Sequence, residues 1–273
     1  MAHVIGLDIG TTSTIGILVR LPDAVVALAS RPVTLSSPRP GWAEEDPAQW
    51  WDNACAVIRE LLAAGAVDAG DIGAIGVTGM LPALVLLDAE GAVLRPSIQQ
   101  SDARCGAEVA DLRAGLDEAA FVARTGNGIN QQLVAPRLRW LAAHEPQVFA
   151  RIATVMGSYD YINWRLTGQC AVERNWALEA GFLDLASDAI DPALVALGGI
   201  AADAVPQVIA SHQVLGHVTD AAAAATGLRT GTLVTGGAAD MIASALGAGV
   251  SEPGDVLIKL GGAVDILIAS DRA

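Results

Sequence analysis

The chain has 273 residues, of which 52% are hydrophobic, and its formal net charge of −14 makes it strongly acidic. An acidic surface repels a phosphate backbone, so we expect no nucleic-acid partner, and the wide spacing of the three cysteines and four histidines excludes a disulfide framework or a zinc site. The sequence shows neither a signal-peptide pattern nor an apolar run of about 18 residues, which predicts a soluble, cytoplasmic protein without a membrane partner.

Three strands open the predicted fold. Residues 3–10 (HVIGLDIG), 13–20 (STIGILVR) and 24–35 (AVVALASRPVTL) are rich in strand-forming residues and are separated by turn signals. The segment that follows, SSPRPGWAEED, contains two prolines and a glycine and predicts a loop. The chain therefore forms three sequential strands before its first helix.

A helix is predicted to begin after Asp46. This aspartate can cap the helix, Pro47 suits the first helical position, and Gln49 completes a capping-box-like pattern. Four buried-type residues recur at helical spacing, namely Trp50, Ala54, Val57 and Leu61. That spacing predicts a helix face packed on the sheet.

Beyond this helix the pattern predicts a mixed sheet flanked by helices. Residues 71–79 (DIGAIGVTG) predict a buried strand, and residues 81–96 predict two strands that turn at 88–91. The remaining predicted elements are helices near 102–115, 117–124, 135–144, 157–166 and 239–246, and strands near 211–218, 231–236 and 255–260. Strands that alternate with helices in this order favour an α/β fold.

The stretch GLDIGTTS places a carboxylate directly before a glycine turn. Asp8 lies near the end of the first strand, and the chain reverses at Gly10, Thr11 and Thr12. Such a turn can direct backbone N–H groups and two hydroxyls at one anion, and a neighbouring carboxylate can hold a magnesium-bound water. The alternative is a plain β-hairpin with a type I′-like turn. The residues alone leave both interpretations open.

The stretch TGGAADMIASALGAGV contains a second candidate carboxylate. Asp240 follows a predicted strand and begins a predicted helix, which places it at the carboxyl end of a strand, where α/β sheets bind ligands. An aspartate there can accept a proton from a substrate hydroxyl. The alternative is that Asp240 only caps the helix.

The stretch VLIKLGGAVDIL repeats the pattern of strand, glycine turn and strand. Its turn falls at Gly261 and Gly262, and together with the first turn it could face one nucleotide from two related domains. An ordinary hairpin is the alternative interpretation.

Two further segments, VTGM and QQSDARC, are candidate walls of a substrate site. Gln100, Asp102 and Arg104 offer hydrogen-bond acceptors and donors suited to a polyol. Asp102 could instead cap the helix that follows it.

With these residues in place, the whole chain resembles the FGGY carbohydrate kinases, most closely their xylulokinase group. The stretches that carry the resemblance occur in the family's order. They are IGLDIGTTSTIGILV, GWAEEDPAQWW, TGMLPALVLLDAEGAVLRPSIQQSDARC, APRLRWLAAHEPQVF, YDYINWRLTG and LGHVTDAAAAATGLRTGTLVTGGAAD. As an ordered set these motifs are specific, and they cover nearly the whole chain.

The resemblance implies two ribonuclease-H-like (actin-like) domains with ATP in the cleft between them, and Mg²⁺ as the accompanying ion. Residues 1–248 would form the N-terminal, sugar-binding domain, and 249–273 the first strands of the C-terminal domain, the rest of which is absent. Family members are roughly twice as long and often dimerise, so we expect this fragment alone not to turn over ATP efficiently. Its last strands, 255–270, should leave an apolar edge exposed.

Site residues follow from the resemblance position by position. Asp240 would be the general base, and Asp8 would lie near the magnesium ion and the phosphates. Three turn residues, Gly10, Thr11 and Thr12, would approach the transferred phosphoryl group. The sugar contacts would come from Met80, Asp102 and Arg104, and the second phosphate loop from Gly261 and Gly262.

Four departures from the family pattern leave the sugar open. Leu81 stands where the family usually has a histidine, and Gln100 and Ser101 replace a Trp-Asn pair. The stretch VERNWALEAG differs from the family's usual sequence at a third place, which makes Asn175 a further candidate sugar contact. In the second phosphate loop, Ala263 and its neighbouring glycine lack the usual hydroxyls. Backbone N–H groups remain there to bind phosphate.

The predicted activity is phosphorylation of a small sugar, with D-xylulose to D-xylulose 5-phosphate as the first hypothesis. A second hypothesis keeps the family but changes the substrate to another ketose, a polyol or a sugar acid. Two hypotheses of another class are an actin- or Hsp70-like nucleotide switch and an inactive sugar-binding module.

Overall fold

The computed structural model of the protein describes residues 3–260 and 264–271. The strands are β1 His3–Ile9, β2 Ser13–Arg20, β3 Ala24–Pro32, β4 Glu44–Glu45, β5 Ile72–Gly79, β6 Val85–Leu87, β7 Ser97–Ile98, β8 Thr154–Met156, β9 Val172–Glu173, β10 Leu183–Asp184, β11 Ala189–Ile190, β12 Val208–Ile209, β13 Val214–His217, β14 Leu233–Thr235, β15 Ala238–Ala239, β16 Val256–Leu260 and β17 Val264–Ile268. The α-helices are α1 Pro47–Gly65, α2 Gly106–Gly115, α3 Glu118–Thr125, α4 Val134–His144, α5 Pro146–Phe149, α6 Ser158–Thr167, α7 Arg174–Glu179, α8 Pro192–Ala196, α9 Asp220–Thr226 and α10 Asp240–Gly247. Short 3-10 helices lie at Ala69–Asp71 and Ala202–Ala204.

A mixed sheet lies at the centre, in the order β13-β14-β5-β1-β2-β3, with β15 also paired to β5. The strands β1, β2 and β3 form an antiparallel meander, whereas β5 runs parallel to β1, and β14 and β15 run parallel to β5. The carboxyl ends of β1, β5 and β15 therefore lie at the same edge of the sheet. The predicted mixed sheet is confirmed.

One face of this sheet is covered by α1. Trp50, Ala54, Val57 and Leu61 are fully buried on the helix, as their spacing predicts. A Cβ atom added to Gly16 in β2 would come within 2.3 Å of Val57 and 2.9 Å of Leu61. The absence of a side chain at Gly16 is what lets α1 approach the sheet so closely.

The start of α1 confirms one part of the predicted cap and corrects another. The Ala48 N–H donates to Asp46 Oδ1 at 2.9 Å, so Asp46 is the N-cap. The predicted capping box is wrong, because the Gln49 side chain instead accepts from the backbone N–H of Thr34 and donates to its hydroxyl. Gln49 therefore fastens the end of the β3 segment to α1.

The segment 81–96 turns where predicted but forms less sheet than expected. The N–H groups of Glu90 and Ala92 donate to Asp88 Oδ1, which closes the turn at 88–91. Within residues 81–96, β6 is the first of the two predicted strands, and the second is reduced to an isolated bridge between Val93 and Leu87.

The last described segment is the antiparallel hairpin of β16 and β17. Its apolar side chains are largely exposed, with Leu260 at 78% and Ile266 at 65%. The exposed apolar surface expected for this segment is confirmed, while the domain boundary at 248/249 stays a prediction. No helix in the described ranges is both long enough and apolar enough to span a membrane.

Candidate functional site

Asp8 lies on the face of β1 turned away from α1, next to β5. It pairs across the sheet with Thr78, whose hydroxyl donates to Asp8 Oδ1 at 3.0 Å. Burial raises the pKa of Asp8; the Thr78 hydrogen bond opposes this, the Asp240 carboxylate adds to it, and Lys259 opposes it. Asp8 and Asp240 therefore lie near enough to interact electrostatically, although they are far apart in sequence.

The turn after β1 is held by local contacts. The Gly10 N–H donates to the carbonyl of Ser13 at 3.1 Å, and the Thr11 hydroxyl lies 3.6 Å from the sulfur of Met80, to which it donates. Thr12 is exposed. The strands β1 and β2 do form a hairpin, but a type I′ turn needs positive φ angles and none of the three turn residues has one, so only the predicted turn type is wrong.

Asp240 lies at the end of β15, which pairs with Thr78 and Gly79 of β5. Ala239 holds the N-cap position of α10, and Asp240 is the first helical residue, so its interpretation as the N-cap is wrong. The N–H of Met241 donates to Asp240 Oδ1 at 2.6 Å. The sheet thus delivers a half-buried carboxylate to the edge where β1 also ends.

Asp240 opens onto a cavity of about 410 Å³. Two of the predicted site residues line it, Asp240 and Gln100. The other lining residues in the described part of the chain are Leu81, Ser101, Gln132, Glu179, Met241 and Lys259. Amide, hydroxyl and carboxylate groups around a small apolar wall can bind a polyhydroxylated molecule beside a carboxylate base.

Asp102 and Arg104 lie outside that lining, in a buried ion cluster. Arg104 donates from Nε and Nη2 to the two oxygens of Asp102, and Nη2 also lies 2.7 Å from Glu44. Asp102 further accepts the N–H of Ala43 at 2.6 Å. The guanidinium of Arg104 stacks over the ring of Trp42, 3.8 Å from its centroid. These contacts fix the chain just beyond Gln100, and sugar contact by Asp102 or Arg104 stays a prediction.

The same cluster determines the charge and the local role of Asp102. Burial alone would raise the pKa of Asp102, but hydrogen bonds from Arg104 and from backbone N–H groups hold it below its ordinary value. The helix α2 begins only at Gly106, with Cys105 at the N-cap, so the interpretation of Asp102 as its cap is wrong.

Met80 and Asn175 also lie outside the cavity lining. Met80 is buried, and its carbonyl accepts from the Ser158 hydroxyl at 2.8 Å. The Asn175 side chain donates to the buried carboxylate of Glu173 at 2.9 Å. Glu173 also accepts from the Tyr159 hydroxyl, so Asn175 belongs to a hydrogen-bond network at the start of α7. Their predicted contact with sugar stays a prediction.

A family model described as the FGGY family of carbohydrate kinases, N-terminal domain, matches residues 3–247. The chain belongs to the FGGY family. The resemblance of the sequence to this family is thereby confirmed, as is the ribonuclease-H-like (actin-like) fold with its mixed, helix-flanked sheet.

Individual FGGY relatives match over nearly the whole chain. A crystal structure of xylulose kinase from Rhodospirillum rubrum is 67% identical with a TM-score of 0.95, covering 98% of this chain and 56% of that one. A xylulose kinase from Escherichia coli is 33% identical over 258 residues, which are 94% of this chain and 52% of the relative. The L-xylulose/3-keto-L-gulonate kinase of Escherichia coli is 35% identical over 81% of this chain and 45% of its own. The chain spans about half the length of the curated relatives it matches.

Arg137 is a residue of this FGGY domain that sequence reasoning missed. It is fully buried on α4, and burial lowers its pKa to about 10. Its guanidinium donates to the carbonyls of Pro82, Ile98, Gln100 and Gln131. These carbonyls lie in or beside the segments that line the cavity. The signal in the sequence was a cation inside the apolar pattern of APRLRWL.

The second phosphate loop predicted for FGGY kinases can be followed only up to its edge. Gly261 and Gly262 lie outside the described residues, so their role in binding phosphate stays a prediction. Lys259, in β16 just before them, lines the same cavity as Asp240. The positive charge of Lys259 opposes the rise in the pKa of Asp8.

Proposed function

We propose that the full-length protein containing this chain transfers the γ-phosphoryl group of ATP to a hydroxyl of D-xylulose, forming D-xylulose 5-phosphate. The observation that carries the proposal is the 67% identity to the xylulose kinase of Rhodospirillum rubrum. An enzyme of this class would need a base beside a polyol-sized cavity, and Asp240 at the wall of a 410 Å³ cavity meets that requirement.

We infer that Asp8 and the turn after β1 form part of a site for Mg²⁺ and the phosphates of ATP. Magnesium binds through one or two carboxylates and completes its shell with phosphates and water. No group of three or more metal-binding side chains occurs within residues 3–260 and 264–271, but Asp8 supplies one carboxylate near Asp240. When bound, the magnesium ion would neutralise charge on the phosphates. The turn at Gly10, Thr11 and Thr12 would lie beside the transferred group.

In the proposed reaction, Asp240 accepts the proton of the attacking sugar hydroxyl. Phosphoryl transfer depends mainly on alignment and charge stabilisation, so a carboxylate of ordinary basicity suffices if the hydroxyl is held in line. Gln100 and Gln132, which both line the cavity, would orient the remaining hydroxyls. Lys259 and the loop at Gly261 and Gly262 would face the phosphates.

A second candidate substrate is a related sugar or sugar acid. The observation in its favour is the 35% identity to an L-xylulose/3-keto-L-gulonate kinase, together with Gln100 and Ser101 in the substrate wall. The protein would still be a carbohydrate kinase in this case. A homodimer in the cytoplasm stays part of the proposal and can be checked by light scattering and cell fractionation.

The test measures ADP release by the full-length protein with ketoses, polyols and sugar acids. Asp240→Asn should lower kcat by at least about 100-fold, the usual contribution of a general base. Asp220→Asn is the control, because Asp220 is also the first residue of a helix, α9, but is exposed and lies outside the cavity lining. Full activity in Asp240→Asn would remove this residue from the role of base. ATP binding without ADP release for any sugar would favour a nucleotide switch or an inactive module.

A further inference from the structure

Glu179 is a carboxylate in the cavity that neither the family motifs nor the proposed reaction uses. It is the last residue of α7, it is half-buried, and it lines the cavity together with Asp240. Burial raises the pKa of its carboxyl group. In the segment VERNWALEAG, the predicted sugar contact is Asn175 and not Glu179.

The helix that carries Glu179 is held at both ends. At its start, the buried Glu173 carboxylate accepts the N–H of Asn175 at 2.9 Å. In its middle, Trp176 is fully buried and donates from Nε1 to the carbonyl of Ala83 at 3.2 Å. At its end, the N–H of Val134 donates to the Ala180 carbonyl at 3.2 Å. The short helix therefore presents Glu179 to the cavity from a fixed backbone.

Within the part of the chain that the structure describes, no protein group satisfies the Glu179 carboxylate. Across residues 3–260 and 264–271, neither a hydrogen bond nor an ion pair reaches its oxygens, and Lys259 on the same cavity forms no ion pair with it. A partly desolvated carboxylate gains most from a donor that enters the cavity. Hydroxyl groups of a sugar are such donors, and a carboxylate oxygen can accept from two neighbouring hydroxyls.

We propose that Glu179 determines substrate specificity by accepting hydrogen bonds from the hydroxyls of a neutral sugar or polyol and by repelling sugar acids. The proposal rests on the proposed function, because it assigns the Asp240 cavity to the sugar. Among the described residues, the cavity wall carries two carboxyl groups, Asp240 and Glu179, against one cation, Lys259. A third carboxylate brought in by a sugar acid would lose water next to like charges, whereas a neutral polyol would not.

The experiment compares matched pairs of neutral and acidic ligands in the full-length protein. Xylitol against xylonate and glucitol against gluconate differ mainly in one carboxylate. Calorimetric dissociation constants and kcat/KM for D-xylulose are measured for the wild type, Glu179→Gln and Glu179→Ala, with Glu90→Gln as control. Glu90 lies exposed in the turn after β6, away from the cavity. Circular dichroism confirms the fold of each variant, and Glu179→Ala serves if Glu179→Gln does not fold.

We expect the wild type to bind each neutral ligand at least about 10-fold more tightly than its acid, and Glu179→Gln to reduce that ratio about 10-fold or more. Glu179→Ala should raise KM for D-xylulose more than it lowers kcat, while Glu90→Gln should match the wild type. An unchanged ratio in both Glu179 variants would overturn the role of Glu179. If the wild type shows the expected binding preference for neutral ligands but releases no ADP with any sugar, the kinase activity is refuted. The role of Glu179 in specificity is then still supported. Failure of the wild type to bind any of these ligands would overturn both proposals.

Discussion

Arg104 donates from Nε and Nη2 to the two carboxylate oxygens of Asp102, at 2.8 and 2.7 Å, and both side chains are almost completely buried. The pair lies just beyond Gln100, so it fixes the segment that forms one wall of the cavity. A two-pronged ion pair of this kind depends on the planar guanidinium, which lysine cannot reproduce.

We therefore expect Arg104→Lys to destabilise the fold by about 3 kcal/mol, the typical effect of breaking a buried ion pair. Urea unfolding measures this effect, and sugar KM should rise as Gln100 moves. Arg113→Lys is the control, because Arg113 on α2 is about half exposed and makes only a loose contact with Glu118. A large rise in KM with unchanged stability would mean that Arg104 contacts the sugar itself.

The four carbonyl contacts of Arg137 predict a role in holding several cavity walls at once. Arg137→Lys keeps the charge but cannot span these carbonyls, so we expect a loss of about 2–4 kcal/mol, because buried acceptors lose their donors. Thermal unfolding tests this loss, and a higher sugar KM should accompany it.

Arg139→Lys provides the comparison for Arg137. Arg139 lies on the same helix and donates to a single carbonyl, that of Leu197, at 2.6 Å. Arg139→Lys should lower the free energy of unfolding by less than Arg137→Lys, about 1 kcal/mol, which is the usual contribution of one hydrogen bond. Equal losses in the two variants would show that Arg137 is no more important to the walls than an ordinary hydrogen-bonding side chain.

The contrast between Asp46 and Arg137 shows what the sequence could and could not reveal. The cap at Asp46 and the buried face of α1 depend on residues a few positions apart, so local spacing predicted them correctly. Arg137 binds backbone carbonyls of two segments far away in the sequence, at Pro82 and at 98–100, and backbone groups leave no mark in a residue pattern. Glu179 could not be predicted either, because its cavity forms only when α7, α10 and the segment after β7 come together.

The first strand and the catalytic candidates show an intermediate case. The strand-forming residues of HVIGLDIG predicted β1, but nothing local places Asp8 beside Asp240. That proximity depends on β15 pairing with β5 in parallel, a contact between positions far apart in the chain. The resemblance to the FGGY family implied that Asp8 and Asp240 belong to one site, whereas residue spacing did not.

Glu45 makes stability depend on pH. It is 1% exposed, Trp50 Nε1 donates to its Oε2 at 2.8 Å, and its Oε1 has no partner among the described residues. Burial raises its pKa from 4.5 to about 7. The Glu45 carboxyl therefore binds a proton more tightly in the folded state than in the unfolded state. Its contribution to the free energy of unfolding is fully present below about pH 4.5 and is lost as the pH rises through about 7.

We expect the free energy of unfolding to decrease by on the order of 1–2 kcal/mol between pH 5.5 and 8 through this residue. Glu45→Gln removes the titrating group while keeping a similar shape, so its unfolding free energy should lose less over the same range. Urea titrations of both proteins at the two pH values give the difference. Parallel pH profiles would show that Glu45 is already ionised in the folded state at neutral pH.

Gly237 controls the approach of β15 to β5, and with it the position of Asp240. Its φ angle is +87°, and an added Cβ would lie 2.3 Å from the carbonyl oxygen of Val77. Gly231 offers a matched control, because its φ angle is +89° and an added Cβ would meet no atom within 4 Å. Alanine at either glycine adds the strain of a left-handed conformation, about 1–2 kcal/mol, but only at Gly237 must the backbone also shift.

We therefore expect Gly237→Ala to lose more stability than Gly231→Ala and to lower kcat at least about 10-fold, since small displacements of a base disrupt alignment. Thermal unfolding and ADP release of both variants measure the two effects. If Gly237→Ala retained the kcat of Gly231→Ala, the position of Asp240 would not depend on this close approach.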